Sequence, residues 1–387
     1  MRGGIARRGK NRWEISIYRG LGPGGRKLYK FHSVKGSKAD AERERARLVN
    51  SSNTGTYVAP SKVTVGEFLQ RWLSDYAKGQ VAPTTFQRYE QIVRQHLVPA
   101  LGHVRLAKLQ PQELMACYAK ALQDGRQTRR GGTLSATSVL QHHRILRCAL
   151  RQAVMEGLLV VNPADRVKAP RKVRREMLAL DEAQTARLLS VARSTALYVP
   201  ILLAASSGLR RGEILGLRWK DLDLATGLLT VQQTLEETRA GLTFKQPKTA
   251  KSRRCIPLPA FAVASLKQHR AEQGKVRLRL GPAYSDLDLV CANPLGGPMR
   301  PNSLSPAFAK LVRRGGLPSI RFHDLRHGHA SQLLKQGVNP KVVSERLGHA
   351  TVGLTLDVYS HVLPGVQEQA VEQFGLAIQS AIDGAGA

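Results

Sequence analysis

The second half of the chain carries a series of basic and aromatic residues whose types suit chemistry on a phosphate group. The first is Arg210, which follows the turn Ser207-Gly208-Leu209 and is predicted to open a helix. A guanidinium at a helix N-terminus beside a glycine turn is well placed to bind phosphate oxygens through two hydrogen bonds. The alternative is an ordinary surface ion pair between Arg210 and Glu213, three residues further on.

Lys248 is the second candidate and lies in the cationic segment 245–254, between two predicted strands. A lysine at the tip of a hairpin formed by those strands can enter a site and donate a proton. The segment holds five cations, so charge alone does not decide which lysine matters. A loop that contacts phosphates without doing chemistry is the alternative.

His323 and Arg326 form the third feature, three residues apart on one face of a predicted helix. An imidazole and a guanidinium that point the same way can bind and protonate one phosphate between them. His323 and His327 also have the spacing of zinc-binding helices. The glutamate that such a motif requires is absent and Arg326 would repel a cation, so no metal site is predicted.

His349 and Tyr359 complete the series. His349 follows Leu347-Gly348 at a predicted helix end, and Tyr359 comes ten residues later. A single tyrosine is usually a packing residue. Tyr359 is the only tyrosine after His349, and beside the arginines it becomes a candidate nucleophile.

The elements before this series form two predicted units. Residues 1–58 read as a small module of strands near 12–19 and 26–34, followed by a helix that Ser37 caps. Residues 1–60 contain 14 Lys or Arg and 4 Asp or Glu, so this small sheet can lay strands into a DNA groove. A solvated sheet face without a partner is the alternative.

The second predicted unit, residues 62–165, is all-helical. Thr64 and Glu67 form a capping box, and helical periodicity covers about 85–97, 112–122 and 134–154. Residues 166–177 are a basic linker broken by Pro170.

Residues 178–387 are predicted to be a mixed but mainly helical domain. Helices are expected from Asp181 to about 193, over 197–206 and over 210–219, and three strands near 228–235, 241–246 and 253–258. Helices dominate from there, the last one is Val366–Ile382, and the last dozen residues, rich in Ala and Gly, are expected to be frayed.

Composition limits the class of protein. The 387 residues carry 60 Lys or Arg against 28 Asp or Glu, a net charge of +32, while 42% are hydrophobic. Such a chain folds, which excludes a disordered basic tail, and its charge points to nucleic acid as partner. Four scattered cysteines, no signal peptide and no apolar run of membrane-spanning length predict a soluble protein in the reducing interior of the cell.

Taken in order, these residues resemble the catalytic series of the tyrosine recombinase, or phage integrase, family: Arg210, Lys248, His323, Arg326, His349 and Tyr359. Residues 62–165 resemble the family's SAM-like core-binding domain through Ala82-Pro83-Thr84-Thr85, Pro99-Ala100-Leu101-Gly102 and Asn162-Pro163-Ala164. The basic module 1–58 resembles the arm-binding domain of the larger phage and conjugative-element integrases.

The resemblance implies a reaction without cofactor or metal. Arg210 and Arg326 would clamp the scissile phosphate with help from His349. Tyr359 would attack to form a 3′-phosphotyrosyl intermediate, His323 would take or guide its proton, and Lys248 would protonate the departing 5′-oxygen. The sequence agrees, because it has neither a Walker loop nor a cluster of carboxylates for two metals.

The resemblance also implies partners. These are double-stranded DNA attachment sites of a mobile element and possible accessory proteins, namely an excision factor and a DNA-bending host protein. The protein would act as a homotetramer on DNA. It would lie in the cytoplasm, associated with the nucleoid and without membrane contact. The C-terminal helix would pack against a neighbouring protomer. Two alternatives share the charge and the helices: a type IB topoisomerase and a DNA-binding regulator without catalysis.

Overall fold

The computed structural model of the chain describes residues 3–22, 25–53, 61–125, 132–171, 178–246, 253–359 and 366–385. The chain divides into two compact units, Met1–Arg174 and Arg175–Ala387. All four cysteines are free thiols. Within the described ranges, no helix combines the length and apolarity needed to cross a membrane.

The first unit begins with a three-stranded antiparallel sheet of β1 (Gly3–Gly9), β2 (Arg12–Leu21) and β3 (Lys27–Lys35), with β2 in the middle. Helix α1 (Lys38–Asn53) follows, and Ser37 and Asp40 form its predicted cap. A small core of its own lies between the helix and the sheet, formed by Ile15, Ile17 and Leu48. Strand β1 was not predicted, because its Gly- and Arg-rich sequence lacks apolar alternation.

The rest of the first unit is helical and has a separate hydrophobic core. The helices are α2 (Val65–Trp72), α3 (Lys78–Gln80), α4 (Pro83–Ile92), α5 (Val98–Leu101), α6 (Pro111–Asp124) and α7 (Ala136–Met155). Two π-helical turns, Leu73–Ala77 and Val93–Leu97, join α2 to α3 and α4 to α5. The capping box of Thr64 and Glu67 is present as predicted. Among the described residues of 62–165, no strand interrupts the helices, as predicted.

The second unit is built around a buried helix. Helix α9 (Tyr198–Ser207) is apolar on all sides and lies between α8 (Glu182–Ala192) and later helices, with Ile201 and Leu203 fully buried. Asp181 caps α8 as predicted. The remaining helices are α10 (Arg211–Gly216), α11 (Ala260–Leu280), α12 (Pro301–Arg314), α13 (Asp324–Lys335), α14 (Pro340–Leu347), α15 (Val352–Tyr359) and α16 (Val366–Ala385). The predicted frayed end is wrong in part, since α16 continues to Ala385.

Two small sheets lie between α10 and α11. One contains β4 (Leu222–Asp223), β5 (Leu228–Thr230) and β8 (Cys255–Pro257), and the other pairs β6 (Thr234–Thr238) with β7 (Gly241–Lys245). All pairings are antiparallel.

Three predictions for this region were wrong. The single strand expected over 228–235 is two strands in different sheets. Strand β7 pairs with β6, and strand β8 pairs with β5. The two strands that flank segment 247–252 therefore do not form the hairpin that was predicted to carry Lys248. The helix expected over 210–219 ends at Gly216, whose Cα approaches β6 so closely that a Cβ would lie 3.0 Å from the backbone nitrogen of Leu235.

Candidate active site

Arg210 lies where the sequence places it, at the start of α10. Gly208 ends α9 in the left-handed conformation (φ +69°), and the chain turns so that Arg210 becomes the N-cap of α10. The Arg210 backbone N–H donates to Oε2 of Glu213 at 2.9 Å, and its Nη1 donates to Oε1 at 2.8 Å. Glu213 is only 5% exposed. The pair therefore joins a buried carboxylate to an arginine whose side chain is 39% exposed, which an ordinary surface ion pair does not do.

Arg326 projects from the first turn of α13 and is 2% exposed. Its Nη1 donates to the carbonyl of Gly208 at 2.8 Å, and its Nη2 donates to the carbonyl of Leu347 at 2.7 Å. Both carbonyls belong to helix C-terminal ends, which favour a positive charge.

The turn after α14 joins the two arginines. Arg210 donates from Nη2 to the carbonyl of Gly348 at 3.0 Å, while Arg326 bonds to the carbonyl of the preceding residue, Leu347. Gly348 has φ +65°, and this left-handed residue ends α14 as predicted. The two guanidiniums are thus held by consecutive residues of one turn.

His349 follows that turn directly. Its Nδ1 lies 2.8 Å from Oγ1 of Thr355, a fully buried residue of α15. Burial, and then the positive charges of Arg326 and Arg210, lower the pKa of His349 to about 4. The ring is therefore neutral at pH 7 and has one N–H to donate.

His323 is the N-cap residue of α13 and is exposed. Its ring meets that of His327 edge-on, with centroids 5.1 Å apart. Loss of water around part of the ring, and then the nearby His327 and Arg326, lower the pKa of His323. The charge of Arg210 acts in the same direction, which places this histidine within the electrostatic reach of both arginines. Among the residues described, no group of three or more His, Cys, Asp or Glu side chains is arranged to hold a metal ion.

Two candidates are located only in part or not at all. Tyr359 is the last residue of α15, one helical turn beyond Thr355, and its side chain lies outside the described part of the chain. Lys248 belongs to residues 247–252, which also lie outside it.

Three residues beside this turn were not predicted from the sequence: Arg254, whose side chain is buried, the buried His329, and Arg346, which is half-buried. Arg254 donates to Glu213 at 2.9 Å, and Arg346 donates to the ring of His329 at 2.9 Å. Only a weak local signal pointed to Arg254, a charged residue directly before the short strand β8, whose middle residue Ile256 is buried. For Arg346 and His329 there was none, because their burial depends on packing between distant segments.

The sequence is similar to two families and to several known proteins. Residues 179–365 match the Phage integrase family, and residues 64–122 match the family described as Phage integrase, N-terminal SAM-like domain. The chain is 28% identical over 383 residues to a tyrosine recombinase XerC-like protein of Caldanaerobacter subterraneus subsp. tengcongensis, covering 94% of this chain and 96% of the relative. It is 26% identical to an integrase of Streptomyces ambofaciens, covering 95% and 94%.

A solved structure shows the same fold. The Tn1549 transposon integrase in complex with a circular intermediate DNA superposes with a TM-score of 0.67 at 20% identity, covering 81% of this chain and 99% of that one. The fold therefore combines an N-terminal SAM-like domain with an integrase catalytic domain, built from helices and small sheets.

The chain belongs to the tyrosine recombinase, or phage integrase, family. It is an enzyme that cleaves and religates DNA in the site-specific recombination of a mobile element.

Proposed function

We propose that six residues form the active site of this recombinase: Arg210, Lys248, His323, Arg326, His349 and Tyr359. The observation that carries the proposal is the turn 347–348, whose consecutive carbonyls hold the guanidiniums of Arg326 and Arg210. A phosphate is bound by several guanidinium donors when their side chains are fixed in advance, since no reorganisation is then needed during the reaction.

The arginines bind the non-bridging oxygens of the scissile phosphate and stabilise the charge that builds up in the transition state. His349 adds a donor. If the Thr355 hydroxyl donates to Nδ1, the single proton of the neutral ring lies on Nε2, the nitrogen left for the phosphate.

Tyr359 supplies the nucleophile. Its phenolic oxygen attacks phosphorus, the bond from phosphorus to the 5′-oxygen breaks, and a 3′-phosphotyrosyl bond forms. His323 receives the phenolic proton, since its lowered pKa leaves the imidazole neutral with a free nitrogen to accept it, and Lys248 protonates the departing 5′-oxygen. A 5′-hydroxyl of a partner duplex then attacks the same phosphorus, the bond from phosphorus to the Tyr359 oxygen breaks, and a phosphodiester forms while the hydroxyl proton returns to the phenol.

The DNA-binding arrangement has three parts, with boundaries at 1–58, 62–165 and 178–387 and the basic linker 166–177 before the last. The separate small core of Ile15, Ile17 and Leu48 supports an independent first module. We expect that module to bind arm-type DNA, and the two larger domains each to contact the core site. The charge of +32 supports a polyanionic partner throughout.

Exchange between two duplexes uses four active sites, so the working form is a homotetramer on DNA. Helix α16 supports this, because it has a stripe of exposed apolar side chains: Val371, Phe374, Ile378 and Ile382. Truncation after residue 364 is expected to abolish synaptic assembly while single-site binding persists. We expect the protein to act at the nucleoid in the cytoplasm.

The test uses nicked suicide duplexes from the DNA that flanks the coding sequence. Wild-type protein is expected to form a denaturation-resistant DNA adduct that Tyr359→Phe does not form, although this variant binds the same DNA. Footprinted binding without an adduct would favour a DNA-binding regulator. Adduct formation with supercoil relaxation but without partner exchange would favour a type IB topoisomerase.

A further inference from the structure

Arg254 is a buried arginine to which the reaction above gives no role. It directly precedes β8, and its carbonyl accepts a hydrogen bond from the backbone N–H of Val231 at 2.9 Å. Its side chain is 7% exposed. Arginine is seldom buried to this extent unless its charge is paired, so its partners indicate what it does.

The guanidinium of Arg254 joins two elements of the site. Nη2 donates to Oε2 of Glu213 at 2.9 Å, and Nη1 lies 3.3 Å from Oε1. Nε donates to the carbonyl of Arg346 in the last turn of α14 at 2.7 Å. One side chain thus connects α10, which begins at Arg210, with the helix end that leads to His349.

Gly348 packs directly against this guanidinium. A Cβ on Gly348 would lie 2.9 Å from Nη1 of Arg254 and 3.1 Å from Cζ. The carbonyl of the same glycine accepts the hydrogen bond from Arg210. Arg254 therefore contacts both groups that hold Arg210, the Glu213 carboxylate and the turn at Gly348.

The single carboxylate of Glu213 pairs with two arginines. Arg210 bonds to Oε1 and Arg254 bonds mainly to Oε2. Without Arg254, the buried Glu213 carboxylate would pair with Arg210 alone. Both of its oxygens would then bind the Arg210 guanidinium and compete with the phosphate for the N–H donors of that side chain.

We infer that Arg254 is a positioning residue for strand cleavage: by occupying Glu213 and supporting the turn before His349, it keeps Arg210 available to the scissile phosphate. This inference rests on the proposed function. It adds to the site a residue that does not itself contact the DNA.

The test measures the single-turnover rate of adduct formation by the full-length protein on the nicked duplex that wild type cleaves. DNA affinity and melting temperature are measured on the same samples. Arg254→Met is compared with Arg218→Met, a matched control that breaks a similar arginine–carboxylate pair with Asp221 (2.8 and 2.9 Å) elsewhere in the unit.

Arg254→Met is expected to slow cleavage by about tenfold to a hundredfold, the effect of a small misplacement of a group at the reaction centre, with unchanged DNA affinity. Arg218→Met is expected to keep the wild-type rate. The double variant Glu213→Gln with Arg254→Met is expected to cleave faster than Arg254→Met alone, because the competing charge is gone. A residue that only stabilised the fold would give no such recovery.

Three results would overturn the inference. The first is an equal cleavage rate for Arg254→Met and Arg218→Met, and the second is a double variant that cleaves no faster than Arg254→Met. The third applies if Arg254→Met does not fold: it is a wild-type rate for Arg254→Lys, which keeps the charge but cannot make all three bonds. Failure of wild type to form an adduct on any flanking duplex is a different outcome, since it overturns the proposed function first.

Discussion

The Nε–H of the half-buried Arg346 donates to Nε2 of the buried His329 at 2.9 Å. The other ring nitrogen, Nδ1, lies 2.8 Å from the carbonyl of Ala205 and must carry the proton, because a carbonyl only accepts. The ring is therefore neutral, and both of its nitrogens are used. Burial, and then the charge of Arg346, lower the pKa of His329 to about 4.

This pair predicts acid sensitivity. The ordinary pKa of 6.5 applies in the unfolded chain, so the unfolded state binds more protons than the folded state between pH 6.5 and 4. Stability is thus complete above that window and is lost as the pH falls through it. By pH 5, His329 is expected to lower the free energy of unfolding by about 2 kcal/mol.

Urea unfolding at pH 7 and pH 5 measures the effect. The variant His329→Gln can accept from Arg346 and donate to Ala205 without titrating, so it is expected to lose less stability on acidification than wild type. An equal loss in both proteins would show that other groups carry the pH dependence.

Gly208 and Gly157 allow a matched test of close packing, because both have φ +69°. A Cβ on Gly208 would lie 2.7 Å from Cδ2 of Leu347 and 2.8 Å from Cδ2 of His329, whereas Gly157 has nothing within 4 Å. Gly157→Ala is expected to cost about 1 kcal/mol from backbone strain alone. Gly208→Ala is expected to cost about 2 kcal/mol more through the clash. Equal losses in thermal or chemical unfolding would contradict the geometry.

Arg326→Lys is expected to reduce adduct formation by at least about a hundredfold. A lysine can reach one of the carbonyls of Gly208 and Leu347 but cannot bridge both and still offer a fork to phosphate. Arg321→Lys is the control, because Arg321 lies nearby, pairs with Asp324 at 2.7 Å and has a side chain that is 77% exposed. Comparable adduct formation by the two variants would argue against a phosphate-binding role for Arg326.

Thr355 is expected to orient His349 through its hydroxyl. Thr355→Val keeps the shape of this fully buried residue and removes the 2.8 Å contact, whereas Thr355→Ser keeps the hydroxyl. The valine variant is expected to cleave about tenfold more slowly and the serine variant to stay near wild type, in line with the loss of one oriented hydrogen-bonding group. Single-turnover cleavage at pH 7 measures both, and an equally slow serine variant would point to packing.

Local signals in the sequence predicted the elements that depend on neighbouring residues. The caps at Ser37, Thr64 and Asp181 and the glycine that ends α14 follow from side chains and φ preferences within one turn. The predicted helix over 134–154 agrees with α7 to within two residues.

Errors arose where partners lie far apart in the chain. Strand β1 exists because β2 provides its hydrogen bonds, and the split of 228–235 reflects the different partners of β5 and β6. In the site, the six candidate residues could be predicted because the local sequence gives no structural reason for polar residues at their positions. The buried bonds of Arg254 join segments that are 41 and 92 residues away, which no local pattern encodes.

The bonds from Arg326 and Arg210 to Leu347 and Gly348 fix the number of residues in that turn. Successive carbonyls point in different directions, so inserting or deleting one residue between α14 and His349 would misdirect at least one guanidinium. Length changes of this kind are easily absorbed elsewhere, for example in the exposed turn at 239–240. A related gene that keeps every catalytic residue type but has an insertion or deletion here is therefore expected to encode an inactive remnant of its mobile element.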